Sequence, residues 1–195
     1  METNHGRRPV KRIELLPLGN VPGDLLAHLS GELADEFSAQ CEVLRPEPDP
    51  PQAFNAARQQ YCSTQILASM TGRDSPATVR LLGITASDLY IPILTFVFGE
   101  AQLEGNCALV STCRLRQEFY GLPADPALLR SRLLKEAVHE LGHTCGLTHC
   151  EDYRCVMASS HSVEYIDLKG ASFCQACRAE VKSARERAIS PLVRP

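Results

Sequence analysis

The sequence contains no apolar run approaching the length of a bilayer-spanning helix, so no helical membrane anchor is expected. Its opening residues, METNHGRRPVKRIELLPLG, are basic but lack the apolar stretch a secretory signal needs, and a cytoplasmic location is the expectation. No pro-segment precedes the first expected strand, so latency imposed by one is not expected either. Charge of neither sign is in excess. The 20 Lys and Arg against 23 Asp and Glu leave a formal net charge of −3, which gives no electrostatic reason for a nucleic-acid partner. There is no internal repeat, and no linker long enough to separate independent domains. The 195 residues therefore read as one domain (1–195), expected to be a monomer. Within it, an N-terminal lobe runs from about 11 to 146 and a smaller C-terminal lobe from about 147 to 190.

What is present is an ordinary globular composition, 44% apolar and 22% charged, with one excess, which is cysteine. Nine cysteines are many for a cytoplasmic chain, and the odd number argues against a simple disulfide framework. Four of them stand as C-x4-C (Cys150, Cys155) and C-x2-C (Cys174, Cys177). That is close to zinc-ribbon spacing and points to a tetrahedral thiolate site. The other five (Cys41, Cys62, Cys107, Cys113, Cys145) have no such spacing and read as small buried apolar residues.

Just ahead of Cys150, the residues His139, Glu140, His143, Gly146 and His149 stand as H-E-x-x-H-x-x-G-x-x-H, the metzincin zinc-peptidase pattern. On a helix His139 and His143 are one turn apart on one face, so both imidazoles can reach one metal ion. Glu140 is offset from His139 by about 100°, near enough to serve as a general base without being a ligand. Gly146 follows where the helix should stop, because glycine takes the left-handed conformation of a C-terminal cap. The chain can then turn back and present His149 as a third ligand, leaving a fourth position open. Glu164 could supply the third ligand in a different class of H-E-x-x-H enzyme, but His149 already fills that place. His5 and His28 are given no role, and His161 reads as a surface histidine.

Residues 1–10 read as a loose tail, 12–19 as a first strand, and 21–39 as a helix with Leu25, Leu26, Leu29, Leu33 and Phe37 on one face. A second strand is expected at 41–45, followed by a proline-rich loop to Pro51. The spacing of Phe54, Ala57, Tyr61, Ile66, Leu67 and Met70 predicts a helix over 53–70, stopped by Gly72. A third strand at 77–84 completes a β-α-β-α-β order, which implies a parallel sheet. ILTFVF (93–98) and CALVSTC (107–113) are too close together for a crossover and should pair antiparallel, with ILTFVF at an edge. That edge would either be covered or accept an extended peptide as one more strand. Asp125 followed by Pro126 should start the helix that carries the histidines, its apolar face formed by Leu129, Leu133, Leu134, Ala137, Val138 and Leu141. Beyond Gly146 the chain looks irregular to about Asp167, and a helix with a solvated charged face is expected over about 172–188.

HELGHTCGLTHC, followed by Cys155-Val156-Met157 and then by C-x2-C at Cys174, resembles the archaemetzincins, small zinc metallopeptidases of archaea, some bacteria and vertebrates. The likeness extends to FNAARQQYCSTQIL and LGITASDLYIPILTFVFGEAQ, and so from about residue 12 to about residue 180. It implies an α/β, metzincin-like fold. That fold is a mixed, mostly parallel twisted sheet of about five strands with one antiparallel edge strand, packed on the active-site helix. A small zinc-stapled C-terminal helical lobe completes it.

The resemblance also implies roles. His139, His143 and His149 would bind a catalytic Zn2+, with Glu140 as general base and Met157 as the Met-turn residue, an apolar floor beneath the metal. Cys150, Cys155, Cys174 and Cys177 would bind a second, structural Zn2+. His149 and Cys150 are adjacent, so one extended segment would serve both metals. The implied reaction is hydrolysis of a peptide or protein substrate. Aminopeptidase and endopeptidase action both stay open, because no residue stands out to hold a free amine. The alternative is a catalytically silent zinc-binding scaffold, against which the presence of Glu140 counts. A nucleic-acid-binding zinc module would need a basic face that the mixed charges of the C-terminal segment do not offer.

Overall fold

The computed structural model describes residues 10–71, 76 and 78–187. The expectations for 1–9, for Gly72 and for Ala188 lie outside the described residues. In chain order the first elements are β1 (Arg12–Leu18), α1 (Gly23–Phe37), β2 (Gln40–Val43), β3 (Phe54–Asn55), β4 (Gln60–Cys62), α2 (Ser63–Met70) and β5 (Val79–Thr85). They are followed by β6 (Leu89–Tyr90), β7 (Gly99–Ala101), β8 (Cys107–Ser111), α3 (Pro126–Thr144), α4 (Val163–Leu168) and α5 (Gln175–Arg187). Among the described residues no helix is long and apolar enough to cross a membrane.

The main sheet has the order β2-β1-β5-β8-β7. Four strands are parallel, and β7 runs antiparallel against β8 at one edge. Parallel strands need both faces covered, and the side chains alternate accordingly. Ile13, Leu15, Leu82, Ile84, Ala108 and Val110 enter one apolar cluster with α1 and α3. Leu16, Leu18, Leu81, Cys107 and Leu109 enter a second cluster on the other face, with α2. Each fully buried leucine or isoleucine contributes about 1.5–3 kcal/mol, so this two-sided core is what fixes α3 against the sheet.

Four expectations need correction. Residues 53–70 are not one helix; only Ser63–Met70 is helical. Asn55 Oδ1 accepts from the backbone N–H groups of Ala57 and Arg58 at 3.1 and 3.2 Å, and Gln59 has a φ of 54°, so a turn competes successfully with helix. β3 and β4 then pair antiparallel in a small second sheet, β3-β4-β6. ILTFVF is not the edge strand. The ladder starts one residue later, at Gly99, because Arg58 Nη2 takes the carbonyls of Leu94 and Thr95 at 2.9 and 3.0 Å and holds that stretch as a loop. The short helix α4 lies in the stretch expected to be irregular. Val10, assigned to the tail, is buried in the first apolar cluster.

α3 starts as its sequence predicts. Asp125 Oδ1 accepts from the N–H of Leu128 at 2.9 Å, and Pro126 occupies the first helical position.

Candidate active site

The last two turns of α3 present His139 and His143, and Gly146 closes the helix. Gly146 has a φ of 87°, a conformation that costs glycine little. Its N–H donates to His143 O at 2.8 Å, and the N–H of Leu147 donates to Gly142 O at 3.1 Å, the paired bonds of a Schellman cap. The reversed chain returns His149. Ring centroids lie 4.6 Å apart for His139 and His143, 5.3 Å for His139 and His149, and 5.1 Å for His143 and His149. The candidate ligand nitrogens all fall within 4.8 Å of one another.

The hydrogen bonds fix which nitrogens face inward. His139 Nδ1 is 2.8 Å from Val156 O, and His143 Nδ1 is 2.8 Å from Leu147 O. A carbonyl can only accept, so each Nδ1 carries the proton and each Nε2 a lone pair. Those two Nε2 atoms are 3.1 Å apart. Lone pairs at that separation repel, and a cation shared between them removes the repulsion. Burial, reinforced by the charge of Lys169, holds His139 well below the ordinary histidine range. Burial is also the leading cause of the lowering at His143 and His149. Three neutral imidazoles with one open side are the donor set that zinc takes.

Glu140 is 6% exposed and reaches the same cavity as His139 and His149. It passes close beneath the edge strand, where a Cβ on Gly99 would lie 2.7 Å from Glu140 Oε1. Burial, then the neighbouring Glu136, pushes its carboxyl well above the usual carboxylate range; Lys169 opposes this, and Glu100 adds to it. Glu100 accepts from Ser63 Oγ and from Thr64 Oγ1, the latter at 3.0 Å, which ties β7 to the first turn of α2. Met157 is fully buried, and a Cβ on Gly142 would collide with its Sδ. Gly142 is thus the gap in α3 that lets Met157 pack against the helix under the histidines.

Cys150, Cys155, Cys174 and Cys177 form the second group, their sulfurs also within 4.8 Å of one another. Cys150 Sγ is 3.9 Å from Cys174 Sγ, far beyond a disulfide bond, and the N–H of Cys174 donates to Cys155 Sγ at 3.3 Å. Burial raises the Cys155 and Cys177 thiols. Four convergent sulfurs, three from loops and that of Cys177 from the first turn of α5, fit a closed tetrahedral metal site. The two groups share one segment, in which Cys150 N–H donates to Met157 O at 3.0 Å and Val156 N–H donates to Ser172 O at 3.2 Å.

The structure therefore brings together His139, His143 and His149, with Glu140 beside them, Met157 beneath and the four cysteines next door. Glu164 is exposed and is not part of the histidine group. His161 is exposed, as expected of a surface histidine, and it lines the same cavity of about 410 Å³, together with residues 94–99 and with Ser159 and Ser160. Of the remaining cysteines, Cys62, Cys107 and Cys145 are buried as expected; Cys41 and Cys113 are half-buried, with thiols raised chiefly by burial. Gly99, Gly142, Glu136 and Lys169 were not anticipated from the sequence. A glycine inside a helical pattern was the available signal for Gly142. The Glu136–Lys169 pairing left none.

Residues 51–183 match the model of peptidase family M54. Over 180 residues the chain is 42% identical to an archaemetzincin of Methanocaldococcus jannaschii, covering 92% of this chain and 96% of that one. The solved archaemetzincin of Archaeoglobus fulgidus superposes with a TM-score of 0.75 at 40% identity, over 87% of this chain and 99% of that one. A solved zinc-dependent peptidase of Methanocorpusculum labreanum does so with a TM-score of 0.79 at 30% identity, over 87% and 99%. Sheet order, histidine group and cysteine group thus stand within a match that spans most of the sequence, and the chain belongs to the archaemetzincins, the metallopeptidases of family M54.

Proposed function

We propose that the chain hydrolyses peptide bonds with a zinc ion held by His139, His143 and His149 and with Glu140 as general base. A second zinc, on Cys150, Cys155, Cys174 and Cys177, contributes to folding and takes no part in the chemistry. One observation carries the reading: Glu140 shares a cavity with His139 and His149, and the Nε2 atoms of His139 and His143 converge to 3.1 Å.

Zinc on three neutral imidazoles supplies Lewis acidity, making water a better nucleophile and a carbonyl a better electrophile. Glu140 takes a proton from the attacking water and delivers it to the nitrogen of the leaving amine, so the carboxylate is regenerated within one turnover. The buried setting of Glu140 excludes bulk water from that exchange. The Nδ1–H bonds of His139 and His143 to Val156 O and Leu147 O keep both rings in the tautomer and orientation that ligation needs. Residues 94–99 form the approach, and an extended peptide lies beside them towards the free edge of β7.

Metal analysis of the purified protein, followed by a peptide-library digest with and without a chelator, tests the reading. Two zinc ions per chain and chelator-sensitive cleavage are expected, and the positions of the cuts separate aminopeptidase from endopeptidase action. A metal-loaded protein that leaves the whole library intact would show the reading to be wrong.

A further inference from the structure

One polar wall of the cavity takes no part in the chemistry above. Ser159, Ser160 and His161 follow Met157 and line the same cavity as His139, Glu140 and His149. His161 is exposed, and among the described residues its ring meets Tyr165, edge to face, with centroids 6.4 Å apart. Its nitrogens are not part of the group that closes on one point, so it does not join the three ligands. Neither nitrogen has a hydrogen-bond partner among the described residues. Beside it, Ser160 Oγ is buried and likewise has no hydrogen-bond partner among the described residues. A buried hydroxyl without a partner is costly, and a bound peptide, rich in carbonyl and amide groups, would supply one.

The wall is also held at both ends. Lys169 Nζ donates to Ala158 O at 3.2 Å, and Ser162 Oγ donates to the Glu164 carboxylate at the start of α4. Polar groups on a fixed segment, facing a cavity rather than one another, are arranged for a ligand.

We propose that His161 is a substrate-contacting residue whose imidazole N–H donates to a main-chain carbonyl oxygen of the bound peptide, with Ser160 Oγ as a second contact. The assignment rests on the peptidase reading and deepens it. Residues 94–99 and residues 159–161 hold the peptide by its main chain, so this wall binds without selecting side chains.

His161→Phe keeps a ring of similar size and removes both nitrogens; His161→Asn keeps a donor. Binding is read on zinc-loaded Glu140→Ala protein titrated with fluorescein-labelled hexa-alanine amide, a peptide offering main-chain groups and methyl side chains only. His161→Phe is expected to weaken that binding about five- to tenfold, the loss of one hydrogen bond, and His161→Asn to recover most of it. Metal content and thermal midpoint should not change in either variant. With Glu140 intact, kcat/KM should fall by a similar factor for every peptide the parent cleaves. Unchanged binding in His161→Phe, no measurable binding of the hexa-alanine peptide to the parent, or a loss confined to peptides with acidic side chains each overturns the proposal. His161-dependent binding in a protein that cleaves nothing would leave the contact standing and remove the peptidase reading instead.

Discussion

Lys169 Nζ lies 2.8 Å from Glu136 Oε1, with the two side chains only 1% and 4% exposed. The pair joins the loop after α4 to α3, one turn before Glu140, and its Glu136 lines the cavity that His139 and Glu140 share. Even so, burial raises the Glu136 carboxyl more than Lys169 lowers it. A pair that only partly compensates its own desolvation is a constraint on geometry more than a source of stability.

Removing one partner should therefore cost more than removing both. Lys169→Met is expected to destabilise the fold by about 3–5 kcal/mol, because it strands a buried carboxylate. Adding Glu136→Leu should recover most of that loss. Denaturant unfolding of the two single variants and the double variant measures the coupling, and additive losses would show that the pair does not act as a unit.

Gly142 is set by Met157. Alanine in a helix interior ordinarily gains up to about 1 kcal/mol over glycine, but the added methyl would meet Met157 Sδ, and overpacking of this kind costs about 1–3 kcal/mol. Gly142→Ala should lower stability on balance and weaken metal affinity at the histidines, as Met157 or the helix shifts. Thermal unfolding with and without zinc tests this. A Gly142→Ala protein as stable as the parent would mean that Met157 repacks freely.

Cys174→Ser combined with Cys177→Ser should weaken metal binding at the histidine group, although neither residue touches it. The path is short: the cysteines hold the segment 150–157, whose Val156 O fixes His139 Nδ1. Competition for zinc against a chromophoric chelator reads the affinity directly. Parental affinity at the histidines in a folded double variant would break this link.

Glu140→Ala should keep two bound metals and lose turnover by about 10²–10⁴-fold, the usual worth of a general base. Metal analysis alongside peptide hydrolysis separates loss of chemistry from loss of the ion. Parental turnover in this variant would remove Glu140 from the mechanism.

Much of this arrangement was legible in the chain because its determinants are local. Asp125 and Pro126 start α3, Gly146 ends it, and the spacing from His139 to His149 carries the site within eleven residues. Legibility failed where distant groups decide. The 53–70 stretch has helical apolar spacing, yet Asn55 and Gln59 make a turn that the period does not register. ILTFVF has strand composition, but Arg58, more than 30 residues upstream, claims the carbonyls of Leu94 and Thr95. Ile93 and Leu94 are then 87% and 50% exposed, while Phe98 still enters the core, where an edge strand was expected. Lys169 and Glu136 are 33 residues apart with no motif between them, so only tertiary contact reveals the pair.

The bond from His139 Nδ1 to Val156 O has a temporal side. During synthesis the ribosome delivers all three histidines and the glutamate before it delivers Val156, and the last two cysteines later still. A nascent chain ending at Cys150 would carry His139, Glu140, His143 and His149 and lack the carbonyl that orients the first of them. The order of residues thus places the orienting carbonyl seventeen positions after the side chain it orients.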